Sequence, residues 1–112
     1  MEKKLIYKKA VKKLVEEIGA MAPSNADITT QIMVDEEHGH YVLFSTGWKN
    51  KGRIYGPFVH IDVMDDGKVW LQHDGTDLVI AELLEEKGIP KEDIVLAFHA
   101  PFRRSLTGYA VS

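Results

Sequence analysis

The sequence contains no cysteine, which excludes structural disulfides, thiolate zinc sites, iron–sulfur clusters and cysteine nucleophiles. It also lacks long hydrophobic runs. The longest, Ile94-Val95-Leu96-Ala97-Phe98, is far too short to cross a bilayer as a helix. There is no G-x-G-x-x-G, no P-loop and no zinc-finger spacing. Aromatics interleaved with Lys or Arg in the manner of RNA-recognition sheets are missing. So is an excess of positive charge: the net charge of −3 argues against broad nucleic-acid binding through a basic surface. Met1-Glu2-Lys3-Lys4 leads into an amphipathic pattern and not an apolar core, so no secretory signal is expected and a cytoplasmic location is the default.

What is present is the composition of a folded domain. The 112 residues are 45% hydrophobic and 28% charged, a length and balance that predict one globular domain over residues 1–112. The charge is unevenly placed. Residues 1–13 hold six lysines and one glutamate, so residues 14–112 carry a net −8.

Residues 3–20 are predicted as a helix with an apolar stripe of Leu5, Ile6, Ala10, Val11, Leu14, Val15 and Ile18. Its lysines sit at the positive end of the helix dipole, and Lys12–Glu16 and Lys13–Glu17 pairs are expected to offset part of that cost. Pro23 bars continuation, and Met21-Ala22-Pro23-Ser24-Asn25-Ala26 is a connection.

Residues 27–73 predict four strands. The first places Ile28, Thr30, Ile32 and Val34 on one face. The second, Tyr41 to Thr46, is apolar on both faces, which leaves its register open. Gly47 to Gly52 is the next turn, and the third strand runs from Arg53 to Val63 with a bulge or edge at Gly56-Pro57. The hairpin after it is more specific. Only a three-residue loop, Asp65-Asp66-Gly67, pairs Val63 with Val69 and Ile61 with Leu71 and so keeps apolar residues on one side. That loop requires Gly67 in the left-handed region. Asp62 then opposes Trp70, and His60 opposes Gln72.

A second helix over 78–87 is predicted, capped by Asp74 or Thr76 and stopped at Gly88, with Ile89 packed on Leu84. A single turn from Pro90 to Asp93 and a short strand from Ile94 to Phe98, ended by Pro101, follow. Phe102, Leu106, Tyr109 and Val111 make the tail apolar enough to dock. The expected class is α+β: an N-terminal helix, a four-stranded antiparallel meander, a second helix, a short strand and a docked C-terminal tail.

Candidate chemistry is sparse. His38 and His40 form an H-x-H pair beside acidic residues, but His38 falls in a turn where ligand spacing is not fixed, and no metal is expected. His60 and Asp62 share a strand face with Trp70 and Gln72, as a hydrogen-bonded polar patch or an acid–base pair. Ser105, His99 and Asp93 have no nucleophile elbow or oxyanion loop around them. Trp48, Lys49, Lys51 and Arg53 cluster about the second hairpin, where Arg53 can stack on Trp48. Arg103 and Arg104 form another basic point. Exposed aromatic and Arg residues favour protein interfaces, so Trp48, Arg53, Tyr55, His60, Asp62, Trp70, Gln72, Arg103 and Arg104 are the candidate interface or ligand face. No catalytic residue and no cofactor are assigned.

A string of segments in one order carries a further signal: Gly47-Trp48, Arg53, Tyr55-Gly56, His60-Ile61-Asp62 and Asp66-Gly67-Lys68-Val69-Trp70-Leu71-Gln72. It continues through Gly75-Thr76, Gly88-Ile89-Pro90-Lys91-Glu92-Asp93-Ile94-Val95-Leu96, Phe98-His99 and Ala110-Val111. In these the sequence resembles the XisI family, the cyanobacterial fdxN element excision controlling factors. Asp77 in place of glutamate, Ala97 in place of glycine and Pro57-Phe58 depart from the pattern. The resemblance implies an XisI-like fold and an accessory role beside a XisH-like protein in programmed DNA excision during heterocyst differentiation. It carries no catalytic residue over to this chain.

The function expected is therefore that of a non-enzymatic accessory or controlling protein working through protein contacts, as a homodimer and with a XisH-like partner. A small ligand-binding domain or enzyme built on His60, Asp62 and Trp70 is the alternative.

Overall fold

The computed structural model describes residues 2–22 and 27–112. The Pro23 stop and most of the connection around it lie outside them. Helix α1 spans Glu2–Met21. Its buried stripe is Tyr7, Val11, Leu14, Val15 and Ile18, successive members lying no more than about one turn apart. Leu5 and Ile6, expected in that stripe, are exposed, because Tyr7 takes the inward position one turn before Val11.

Five strands follow in spatial order β1-β2-β3-β4-β5. β1 (Ile28–Asp35), β2 (His40–Lys49), β3 (Gly52–Val63) and β4 (Val69–Asp74) form the antiparallel meander. β5 (Ile94–Leu96) joins β4 in parallel, so the short strand extends the sheet. A parallel neighbour needs a crossover, which α2 (Ile80–Glu86) and the 3-10 turn Lys91–Asp93 supply.

α2 begins two residues later than expected. Asp74 still caps it, but from a distance: one carboxylate oxygen accepts the Ile80 N–H at 3.1 Å and the other accepts the N–H and Oγ1–H of Thr76. Gly88 (φ +98) ends the helix, and the Ile89 N–H bonds the Leu84 carbonyl as a Schellman motif requires. A short helix, α3 (Pro101–Arg104), replaces the expected plain tail. Pro101 opens it, as its fixed φ favours at a first helical turn.

Helices α1 and α2 cover one side of the sheet. Tyr41 and Leu43 from β2, Val59, Ile61 and Val63 from β3, and Val69 and Leu71 from β4 are buried in a single cluster with α1 and with Ile80, Leu84 and Ile89. Lys3, Lys4, Lys8 and Lys12 of α1 bind across to other elements and not along the helix. Lys4 meets Asp65 at 2.6 Å, Lys12 meets Glu36 at 3.3 Å, Lys8 donates to the Glu36 carbonyl, and Glu17 pairs with Lys87. In place of the expected Lys12–Glu16 and Lys13–Glu17 pairs, Lys12 meets Glu36 of the first turn and Glu17 meets Lys87 at the end of α2. Beneath them Asp93, nearly buried, accepts the Tyr7 hydroxyl at 2.5 Å and lies 3.3 Å from Lys3 Nζ. Burial first, and then Asp93, hold the Tyr7 hydroxyl far above its ordinary pKa. Asp93 thus ties β5 to α1 and is not part of a Ser–His–Asp arrangement.

The β3–β4 hairpin has the expected three-residue loop. Val63 opposes Val69, Ile61 opposes Leu71, Asp62 opposes Trp70, and Gly67 has φ +86. One pairing differs: a bulge on β4 sets His60 opposite His73 and leaves Gln72 as the extra residue. In the first turn Gly39 has φ +76, and a Cβ there would lie 2.3 Å from the Val63 carbonyl oxygen. At Gly67 the nearest obstruction is the flexible end of Lys3, at 2.7 Å. Gly39→Ala is therefore expected to cost more than about 2 kcal/mol and Gly67→Ala about 1–2 kcal/mol. Urea unfolding midpoints measure both, and an equal or larger loss at Gly67 would contradict this ranking.

Tyr41 is buried and its hydroxyl has no hydrogen-bond partner among the described residues. Burial raises its pKa from 10.0 to about 12. An unfolded tyrosine releases its proton near pH 10, while the folded one holds it until about 12. The contribution is thus complete below pH 10 and is lost as pH rises toward 12. Tyr41→Phe should leave stability at pH 7 within about 1 kcal/mol of the parent and should flatten the alkaline decline in a pH series of thermal melts.

Candidate functional site

The second side of the sheet faces away from α1 and α2. Side chains on it are fixed by alternation from the buried positions. β1 contributes Gln31 and Met33, and β2 contributes His40, Val42, Phe44 and Trp48. β3 contributes Arg53, Tyr55, His60 and Asp62, and β4 contributes Trp70 and Gln72. Phe44, Trp48, Tyr55 and Trp70 fall on this open side, while Tyr41 belongs to the core.

Two groups of candidate residues form on it. At the far end of the β2–β3 hairpin, Trp48 opposes Arg53. The Arg53 guanidinium lies 5.5 Å from the Trp48 ring centre and 5.4 Å from that of Tyr55, and it donates to the Gly47 carbonyl. Tyr55 meets Phe44 edge-on at 4.9 Å. Trp48 and Tyr55 are 57% and 69% exposed, so the cation orders two large rings that remain open to contact. The strands run on to Lys49 and Gly52, beyond the turn expected over 47–52. Asn50 and Lys51 at φ 50 and 68 make the tip, the pair of left-handed residues that suits the twist of a tight hairpin.

The second group lies in the middle of the sheet. Asp62 is 7% exposed. Its Oδ1 is 2.8 Å from His40 Nδ1 and 2.9 Å from His60 Nε2, and its Oδ2 accepts from Gln72 Nε2 at 3.2 Å. A buried carboxylate needs such partners, since desolvation penalises the charged form. Sequence reasoning joined His60, Asp62, Trp70 and Gln72 but missed His40, which it paired with His38. His38 instead bonds Asp35 at 2.8 Å, and its ring lies 6.4 Å from that of His40. The signal that would have found His40 was the register. A two-residue tip at Asn50-Lys51 alone would oppose His40 to Ile61. The extra residue at Phe58, where the β2–β3 register shifts, opposes it to Asp62.

At the β4–β5 end, Arg104 caps Trp70, its guanidinium 5.3 Å from the ring centre. The same side chain donates to the carbonyls of His99, Ala97 and Val111. Arg103, the other expected basic residue, is exposed. The tail docks, but not through all the residues expected. Phe102 and Leu106 stay exposed, whereas Tyr109 bonds Glu85 on α2 and Ala110 bridges Val95. A separate cleft, lined by Ile18, Met21, Phe58, Thr76 and Leu78, contains none of these residues.

Among solved structures, a XisI-like protein from Anabaena variabilis is 39% identical over 97% of this chain and 99% of its own, with a TM-score of 0.91. The fdxN element excision controlling factor XisI from the same organism is 28% identical over 98% of this chain and 99% of its own, with a TM-score of 0.86. The sequence matches the family model described as XisI protein over residues 1–111. The chain belongs to the XisI family. No curated protein matches it significantly. The mixed α+β architecture, with its N-terminal helix and five-stranded sheet, is thus the XisI-like fold. No helix among the described residues is long and apolar enough to cross a membrane.

Arg104 holds three carbonyls of the C-terminal segment, so Arg104→Ala should loosen the tail without disturbing the core. The Ala110 amide, bonded to the Ile94 carbonyl at 2.8 Å, is expected to exchange with deuterium at least about tenfold faster. The Leu43 amide should be unchanged, and equal protection of Ala110 in both proteins would refute the clamp.

Proposed function

We propose that this chain is a non-enzymatic accessory or controlling protein that acts through the open side of its sheet. Its partner is a XisH-like protein, and its setting is programmed excision of an fdxN-type DNA element during heterocyst differentiation. The observation that carries the reading is the exposed aromatic surface of Trp48 and Tyr55, ordered by Arg53, on the side of the sheet opposite α1 and α2. Aromatic and Arg side chains of this kind supply most of the energy at protein interfaces. Family membership supports the regulatory role, because a family relative is named as an excision controlling factor.

Direct DNA binding through α1 is disfavoured. Lys3, Lys4, Lys8 and Lys12 are engaged with Asp93, Asp65, the Glu36 carbonyl and Glu36, so releasing phosphate counterions would first mean breaking those contacts. In the absence of the partner, the same open side closes on a second copy as a homodimer. The alternative reading, a ligand site at His60, Asp62 and Trp70, gains support from the arrival of His40.

Trp48→Ala with Tyr55→Ala should weaken capture of a co-expressed XisH-like protein by about thirtyfold or more, the effect of losing an interface hot spot of roughly 2 kcal/mol. Circular dichroism should be unchanged, and sedimentation of the double variant should show a weaker dimer. Undiminished capture, or a parent protein that is monomeric at every concentration and binds no XisH-like chain, would overturn the reading.

A further inference from the structure

We propose that His40, His60 and Asp62 form a binding site for a divalent transition-metal ion, with zinc the ion whose chemistry the donors fit. Their ligand atoms all lie within 4.8 Å of one another. They come from directly opposed strands: His40 pairs with Asp62 across the β2–β3 ladder, and His60 precedes Asp62 by two residues and so shares its face. Two imidazole nitrogens and one carboxylate oxygen are a donor set that zinc uses with a fourth position open. The side chains are 54% exposed at His40, 36% at His60 and 10% at Asp62. The carboxylate therefore forms the floor and the imidazoles the rim, and the fourth position faces the open side of the sheet.

The nitrogen–oxygen distances are close to those required. Ligands about 2.0–2.1 Å from a tetrahedral zinc are about 3.3 Å apart. Here the two nitrogens lie 2.8 and 2.9 Å from the one oxygen, so small torsions of the two imidazoles open the space. The ion would be held by His40 Nδ1, His60 Nε2 and Asp62 Oδ1. Each neutral imidazole keeps its single N–H on the nitrogen turned away from the metal. Gln72 plays a separate part: its amide bonds Oδ2 and fixes the carboxylate with Oδ1 toward the imidazoles, a hydrogen bond of the kind that tunes metal affinity. The expectation of no metal weighed His40 only with His38, and the sheet gives His40 other partners. This site does not depend on the protein-contact reading.

The test is isothermal titration of untagged protein with zinc chloride, together with the visible absorption of the Co(II) form. One ion per chain is expected, with cobalt absorption of low-coordinate type. His60→Gln and Asp62→Asn should abolish saturable binding, and Gln72→Leu should weaken it by about 10–100-fold. His38→Ala should leave it unchanged, which separates this site from a chelate in the turn. His40→Gln, altering the most exposed ligand, serves if either of the deeper variants fails to fold by circular dichroism. Absence of saturable zinc binding by the parent, or loss of binding in His38→Ala with retention in His40→Gln, would overturn the proposal.

Discussion

A five-stranded sheet has two sides, and α1 and α2 cover one. α1 and α2 pack on the side carrying Tyr41, Leu43, Val59, Ile61 and Leu71, and the tail reaches the other side only at its β5 end, where Arg104 meets Trp70. Strict alternation along each strand then decides everything on the remaining surface. A residue is either in the core or on the open side, and one extra residue exchanges the two sets. The bulge at Phe58 is therefore a determining feature. It lets β3 keep Ile54 inward near the hairpin tip and Ile61 inward near the core, while His60 and Asp62 turn out toward His40.

This dependence explains what could be read from the sequence. The β3–β4 hairpin was legible because Val59, Ile61, Val63, Val69 and Leu71 admit only one loop length, and Gly67 supplies the backbone conformation that loop needs. Helix α2 was legible through Asp74, Gly88 and Ile89, although its first turn was placed too early because the cap acts from six residues away. The β2–β3 register was not legible. Val42 and Phe44 are as apolar as Tyr41 and Leu43, so periodicity carries no information there, and the position of a bulge cannot be counted from composition. His40 was lost to the site for that reason alone.

Elsewhere the limits had other causes. The α1 stripe starts at Tyr7 and not at Leu5 and Ile6 because Tyr7, with a hydroxyl that needs a partner, finds one in Asp93, 86 positions away in the chain. No local pattern announces that contact. The lysines of the same helix were expected to pair within it, yet their long stems reach turns that only the folded sheet brings near. The tail was apolar enough to suggest docking, but Phe102 and Leu106 remain exposed, and the actual attachment uses Arg104, Tyr109 and Ala110.

The open side is not the sole exposed apolar surface: Leu5 and Ile6 on α1 and Phe102 and Leu106 in the tail are exposed too. Hydroxyl-radical footprinting of the protein alone and bound to its XisH-like partner distinguishes these surfaces in one experiment. Binding through the open side requires that Met33, Trp48 and Tyr55 lose reactivity on complex formation while Leu5, Ile6, Phe102 and Leu106 keep theirs. Protection of Leu5 and Ile6, with Trp48 and Tyr55 as reactive as in the free protein, would contradict it and move the functional surface to the helix.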